Sequence, residues 1–110
     1  MTYDDVTKAL TAEGFFTYYR HESDTLICST AECPDVPQMA NSFWLAQQRG
    51  NWYIATWAPH LYHFAHEASV PDACINLLRR HSERAQWDLD GGLKAQFALS
   101  EVDPDDLLGK

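Results

Sequence analysis

The sequence has little positive charge. Its 110 residues include 16 Asp and Glu against 8 Lys and Arg, which gives a formal net charge of −8. Proteins that bind nucleic acids gain most of their affinity by neutralising phosphates with Lys and Arg. In this chain the only local cluster of positive charge is Arg79, Arg80 and Arg84. The balance argues against a nucleic-acid partner and favours a basic protein as the partner.

Cysteine is also scarce, and its spacing excludes a disulfide framework. The chain has three cysteines, Cys28, Cys33 and Cys74, with no C-x-x-C pair. An odd number without such a pair is not typical of a secreted, disulfide-linked domain. Cys28 and Cys74 fall on apolar stretches and are expected to be buried. Cys33 is expected to be exposed, but the neighbouring carboxylate of Glu32 disfavours the thiolate that nucleophilic catalysis needs.

No long hydrophobic run is present. The longest stretch without Asp, Glu, Lys, Arg or His, residues 36–48, contains several polar residues, whereas a membrane-spanning helix needs about 18 or more consecutive apolar residues. The amino terminus begins Met-Thr-Tyr-Asp-Asp, which is acidic where a secretory signal would be basic. We therefore expect no membrane association and a cytoplasmic location. Residues 1–110 are expected to form a single α+β domain, with an acidic tail from about residue 101 that is mobile.

Motifs that would indicate an enzyme are missing as well. The sequence contains no G-x-G-x-x-G, no phosphate-binding loop and no H-E-x-x-H, so it predicts no catalytic residue and no cofactor. Three histidines, His60, His63 and His66, are spaced three apart. Along a strand this spacing alternates between faces, and along a helix it rotates the third histidine away from the first. We therefore predict no metal site.

The patterns that are present predict an α+β fold. Helices are predicted over residues 2–13 and from Ser69 to near Arg84. Leu93, Phe97 and Leu99 fit either a short helix or a final strand, and a short helix over residues 92–99 is favoured. Strands are predicted over residues 15–20, 25–29, 42–48 and 51–58, with a further edge strand over residues 60–64. The helices lie mainly at the two ends of the chain, so there are too few helices between the strands for parallel βαβ units. The predicted architecture is a two-layer one, an antiparallel sheet of four to five short strands with helices at both ends packed on it.

The hairpin around Arg49-Gly50 is the clearest element. A two-residue loop there pairs Gln48 with Asn51 and Leu45 with Ile54, and alternation then sorts the side chains onto two faces. One face carries Phe43, Leu45, Trp52, Ile54 and Thr56, and the other carries Trp44, Ala46, Tyr53, Ala55 and Trp57. Neither face is polar.

The second of these faces has two interpretations. If another element covers it, its aromatic residues are core. If it is open, Trp44, Tyr53 and Trp57 are candidate binding residues, because Trp and Tyr often anchor protein interfaces. We predict a non-catalytic protein-binding module that uses this face within an acidic surround, by analogy with immunity or antitoxin-like inhibitors of basic proteins.

Two alternatives to this function stay open. The first is a small-molecule-binding protein or small enzyme with a pocket between sheet and helices, near Trp57, Tyr62, His60 and His63. The second is homodimerisation through the aromatic residues, so the sequence leaves both a monomer and a homodimer possible.

Overall fold

The computed structural model describes residues 1–30, 42–56, 61–83, 89, 91–103 and 105, without the side chains of residues 81–83. The elements run in the order α1 (Tyr3–Ala12), β1 (Phe16–Arg20), β2 (Thr25–Ser29), β3 (Ser42–Gln48), β4 (Asn51–Ala55), β5 (Leu61–Phe64), a 3₁₀ turn (Glu67–Ser69), α2 (Val70–Glu83), α3 (Gly91–Gln96) and β6 (Leu99–Val102). Helices and an antiparallel sheet together make this an α+β fold, as the sequence predicts.

Helix α1 begins and ends at the residues that its sequence indicates. Thr2 caps the helix through its side chain, which accepts from the Asp5 amide, while the Asp5 carboxylate accepts from the Thr2 amide at 2.8 Å. At the other end Gly14 has φ +85°, a conformation that costs glycine little. The amides of Gly14 and Phe15 donate to the carbonyls of Thr11 and Leu10, the paired bonds of a Schellman motif. The chain thus turns directly from α1 into β1.

The sheet is a simple antiparallel meander of six strands in the order β1-β2-β3-β4-β5-β6. The prediction of four to five strands is therefore wrong by at least one. The additional strand is β6, which pairs with β5 from Leu61↔Val102 to Phe64↔Leu99. Strand β5, expected at the edge of the sheet, lies between β4 and β6.

The additional strand begins at Leu99, the last residue of the stretch predicted as one helix over residues 92–99. Helix α3 ends at Gln96, and Ala98 then has φ +53°, which breaks the helical backbone. Leu93 and Phe97 are buried in the core, and Leu99 is buried as the first residue of β6. The same apolar residues serve a short helix and a strand, so their spacing could not separate the two. Glu101 and Val102, the expected start of the tail, are the last residues of β6.

The register of the β3–β4 hairpin is confirmed. Gln48 pairs with Asn51 and Leu45 with Ile54. Both loop residues, Arg49 at φ +53° and Gly50 at φ +81°, have the positive φ of a type I′ turn, whose twist matches that of the flanking strands. The two faces are therefore the ones that alternation predicts.

The main core joins the helices to one face of the sheet. Its strand residues, here called the core face, are Leu26, Cys28, Phe43, Leu45, Trp52, Ile54, Tyr62, Phe64 and Leu99. They form one buried cluster with residues of α1, α2 and α3, including Val6, Leu10 and Leu78. An ion pair between Arg79 of α2 and Glu13 at the end of α1 also links the two helices. Among the described residues, no helix is long and apolar enough to cross a membrane.

Candidate functional site

The face opposite the core face is also largely apolar. We call it the aromatic face and define it by Ile27, Trp44, Ala46, Tyr53, Ala55, Leu61 and His63, which the strand pairing places in two adjacent rows. One row runs from Ile27 through Trp44 and Ala55 to Leu61. The other runs through Ala46 and Tyr53 to His63.

Burial distinguishes the two faces. Core-face residues such as Phe43 and Trp52 are 0 and 1% exposed. Trp44, Ala46, Tyr53 and the rest of the aromatic face are half-buried, with the exception of Ile27, which is 1% exposed. Ile27 lies outside the cluster that the helices share with the core face. The side chains of the aromatic face are thus partly accessible to solvent, except at Ile27, which is buried.

A shallow groove crosses this face. It has a volume of about 520 Å³ and a largely apolar lining. Its residues are Arg20, Glu22, Ser23, Thr25, Trp44, Ala46, Gln48, Ala55 and Leu61. The small side chains of Ala46 and Ala55 form low points beside Trp44 and Tyr53, because each alanine is the strand partner of one of these aromatics. The groove is therefore shaped to receive an apolar group beside the Trp44 ring.

The polar rim of the groove is the part that sequence reasoning missed. Arg20 ends β1, Glu22 and Ser23 lie in the β1–β2 turn, and Thr25 pairs with Ala46 across β2 and β3. The sequence predicts both strands of the β1–β2 hairpin, over residues 15–20 and 25–29, but nothing in it fixes their register against β3. That register alone brings the first hairpin beside Trp44.

Tyr53 and His63 form a tilted ring pair on the aromatic face. They are partners across β4 and β5, with ring centroids 5.2 Å apart and planes inclined by 49°. The preceding residue, Tyr62, points to the core face, where the Lys94 ammonium lies 5.5 Å from the centroid of its ring.

Tyr62 and His63, two residues of the alternative pocket, therefore do not face the same cavity. The other two, Trp57 and His60, lie outside the described residues. Of the three predicted binding residues, the structure brings Trp44 and Tyr53 to one face, and Trp57 lies outside the described part of the chain. The functional role of these residues stays a prediction.

The thiols within the described residues are placed as predicted. Cys28 and Cys74 are free and fully buried. Burial raises the pKa of the Cys28 thiol well above its ordinary value, and a hydrogen bond with Cys74 raises it further. Cys28 is therefore a protonated core side chain at neutral pH. Cys33 lies outside the described residues, and within them no three His, Cys, Asp or Glu side chains are grouped to hold a metal ion.

A second groove of about 350 Å³ lies beside the start of α1, lined by Thr2, Tyr3, Asp4, Thr7, Thr17, Tyr19 and Leu26. Several of its polar groups bond within the protein. The Thr17 hydroxyl donates to Thr7 at 3.1 Å, and the Tyr19 hydroxyl donates to Asp24 at 2.5 Å. The first of these bonds joins α1 to the first hairpin, and the second lies within that hairpin. The groove on the aromatic face is the better candidate for binding, because its lining is mostly apolar and its side-chain charges are free of bonds to described residues.

No protein-family model matches the chain, and no curated protein or solved structure matches it either.

Proposed function

We propose that this chain is a non-catalytic protein-binding module whose aromatic face engages a basic protein, as an inhibitor of the immunity or antitoxin kind would. The observation that supports the proposal is the half-buried state of Trp44 and Tyr53 beside an apolar groove. Partly exposed Trp and Tyr supply large contact areas at little cost in side-chain entropy, and they are frequent anchors of interfaces. The proposal includes a two-layer arrangement, which leaves this face free of helices, and a cytoplasmic location.

The charge of the chain supports a basic partner. The net charge of −8 would speed the encounter with a positively charged protein. At the groove itself the described rim carries one charge of each sign, Arg20 and Glu22. We therefore propose that the net charge of the whole chain attracts the partner, whereas the apolar groove provides most of the binding energy.

The test is affinity capture of proteins from native lysate, with variants that each replace one aromatic residue by alanine. Wild-type protein, Trp44→Ala, Tyr53→Ala and the control Tyr19→Ala are immobilised after circular dichroism has shown that each is folded. Tyr19 is 43% exposed and lies outside the aromatic face, so its loss removes a comparable ring from another surface. Captured proteins are then titrated individually against each variant.

The proposal expects a saturable, basic partner whose affinity falls at least about tenfold with Trp44→Ala or Tyr53→Ala and is kept by Tyr19→Ala. Affinity should also fall as salt is raised, because screening weakens attraction between opposite net charges. A partner that the Tyr19 variant loses and the Trp44 and Tyr53 variants keep would contradict the proposal. So would the lack of any saturable partner.

A further inference from the structure

The two charged residues on the rim of the groove are free to form ion pairs outside the molecule. Arg20 and Glu22 are both exposed, and both line the groove. Neither side chain forms an ion pair or hydrogen bond with any described residue. An apolar floor bordered by one free positive and one free negative side chain is complementary to a surface with the same pattern.

A second copy of this chain offers that pattern. Arg20 and Glu22 are two residues apart at one end of the groove. A two-fold axis beside them would bring Arg20 of each copy opposite Glu22 of the other, because in an isologous interface the same contact occurs twice. The two copies of Trp44 would then cover the shared apolar floor.

We infer that the aromatic face associates with a second copy of this chain as a weak two-fold dimer, held in register by reciprocal Arg20–Glu22 ion pairs. The inference does not depend on the proposed heterologous partner. Since both would use the same face, partner and second copy compete for it.

The size of the sheet sets the strength of this dimer. Six strands spaced about 4.8 Å apart span about 24 Å, and a five-residue strand is about 17 Å long, so one whole side of the sheet covers about 400 Å², which is an upper limit for the aromatic face. A stable interface buries about 800 Å² on each partner. The dimer is therefore expected to be weak, with association that becomes measurable only at high protein concentration. The net charge of −8 on each copy opposes it, but at physiological ionic strength charges further apart than about 8 Å are largely screened.

Charge reversal tests the register of the dimer. Sedimentation equilibrium from about 10 µM to about 1 mM is measured for wild type, Arg20→Glu, Glu22→Arg, an equimolar mixture of these two variants, and the double variant carrying both changes. Each single variant places like charges opposite one another twice and should weaken association by about tenfold or more. The mixture and the double variant restore opposite charges and should recover association at least to the wild-type level.

Lys8→Glu and Asp72→Arg are the controls, because they change the net charge by the same amounts at exposed positions on the helices. They should leave the dissociation constant within about twofold of wild type. A wild-type protein that is monomeric at 1 mM would overturn the inference. So would control variants that weaken association as much as the groove variants, or a mixture that fails to restore it. None of these outcomes bears on capture of a basic partner, so the two proposals fail separately.

Discussion

Trp52 and Trp44 lie on neighbouring strands but on opposite faces of the sheet, and their surroundings differ. Trp52 is 1% exposed in the core cluster, and the edge of the Tyr3 ring packs against it with centroids 5.5 Å apart. Trp44 is half-buried at a groove that it shares with Ala46 and Ala55. Composition does not separate the two environments, since both faces of this hairpin are apolar. What separates them is the position of the helices: among the described residues, helix side chains share a buried core cluster with Trp52, and Trp44 is not part of that cluster.

The largest expected effect comes from removing each tryptophan in turn. Trp52→Ala leaves a large cavity and should lower the free energy of unfolding by about 3–5 kcal/mol. Trp44→Ala removes a half-buried ring and should cost less than about 2 kcal/mol. Urea unfolding followed by circular dichroism measures both. Equal losses would show that the aromatic face is as well packed as the core face and would remove the structural basis for binding there.

A second change at Trp52 sharpens this comparison. The indole Nε1 of Trp52 is buried, and it has no hydrogen-bond partner among the described residues. Trp52→Phe therefore sacrifices no hydrogen bond and keeps most of the apolar contact. We expect it to cost less than half of the loss caused by Trp52→Ala. A larger loss would mean that Nε1 is bonded in solution.

The sequence predicts each face of the central hairpin but not which face the helices cover. The Arg49-Gly50 loop fixes the register, and a period of two then assigns every side chain in the hairpin. The face that the helices cover is determined by the angle at which α1 and α2 pack on the sheet. No local sequence pattern encodes that angle. For the same reason the candidate site was predicted only in part. Trp44 and Tyr53 follow from alternation, but Arg20 and Glu22 reach the groove through pairing of β2 with β3 over an intervening segment of 12 residues.

The next largest effect on the free energy of unfolding is expected from the hydrogen bonds of Tyr3, which attach α1 to the sheet. The Tyr3 hydroxyl donates to the Asp24 carbonyl and accepts from the Gln47 amide, both at 2.8 Å. Tyr3→Phe leaves both main-chain groups without this partner and should lower the free energy of unfolding by about 1–2 kcal/mol. Tyr19→Phe, the control, removes one exposed hydrogen bond to Asp24 and should cost less than about 1 kcal/mol. Equal losses would show that the Tyr3 bonds are not formed in solution.

Tyr3 also makes the stability of the fold depend on pH in the alkaline range. Burial raises the pKa of Tyr3 above its ordinary value of 10.0. The folded state therefore holds this proton more tightly than the unfolded chain, so the stabilisation is complete below about pH 10 and is lost as the pH rises through the folded-state pKa. Wild type should lose stability more steeply than Tyr3→Phe above pH 10. Parallel curves would contradict this assignment.

The smallest effect is expected at the start of α1, and it tests whether the core face depends on that helix being fully formed. Thr2→Ala removes the side-chain cap and should cost about 1 kcal/mol. Hydrogen exchange should then increase at the first turn of α1 more than in strands β3 and β4, because fraying of this turn breaks few contacts with the core. Equal increases in the helix and the strands would mean that the cap and the core face unfold as one unit.

The carboxylate of the same cap provides an acid-side test. Hydrogen bonds from the Thr2 amide and hydroxyl lower the pKa of Asp5 below its ordinary value of 3.8. A lowered pKa stabilises the fold above about pH 4, and this stabilisation disappears as the pH falls through the folded-state pKa. The difference in melting temperature between wild type and Asp5→Asn should therefore shrink below pH 4, while Asp72→Asn at the start of α2 serves as the control. If the Asp5 difference persisted unchanged at pH 2, the capping bonds would owe nothing to the charge, and the neutral hydrogen bonds alone would hold the helix start in place.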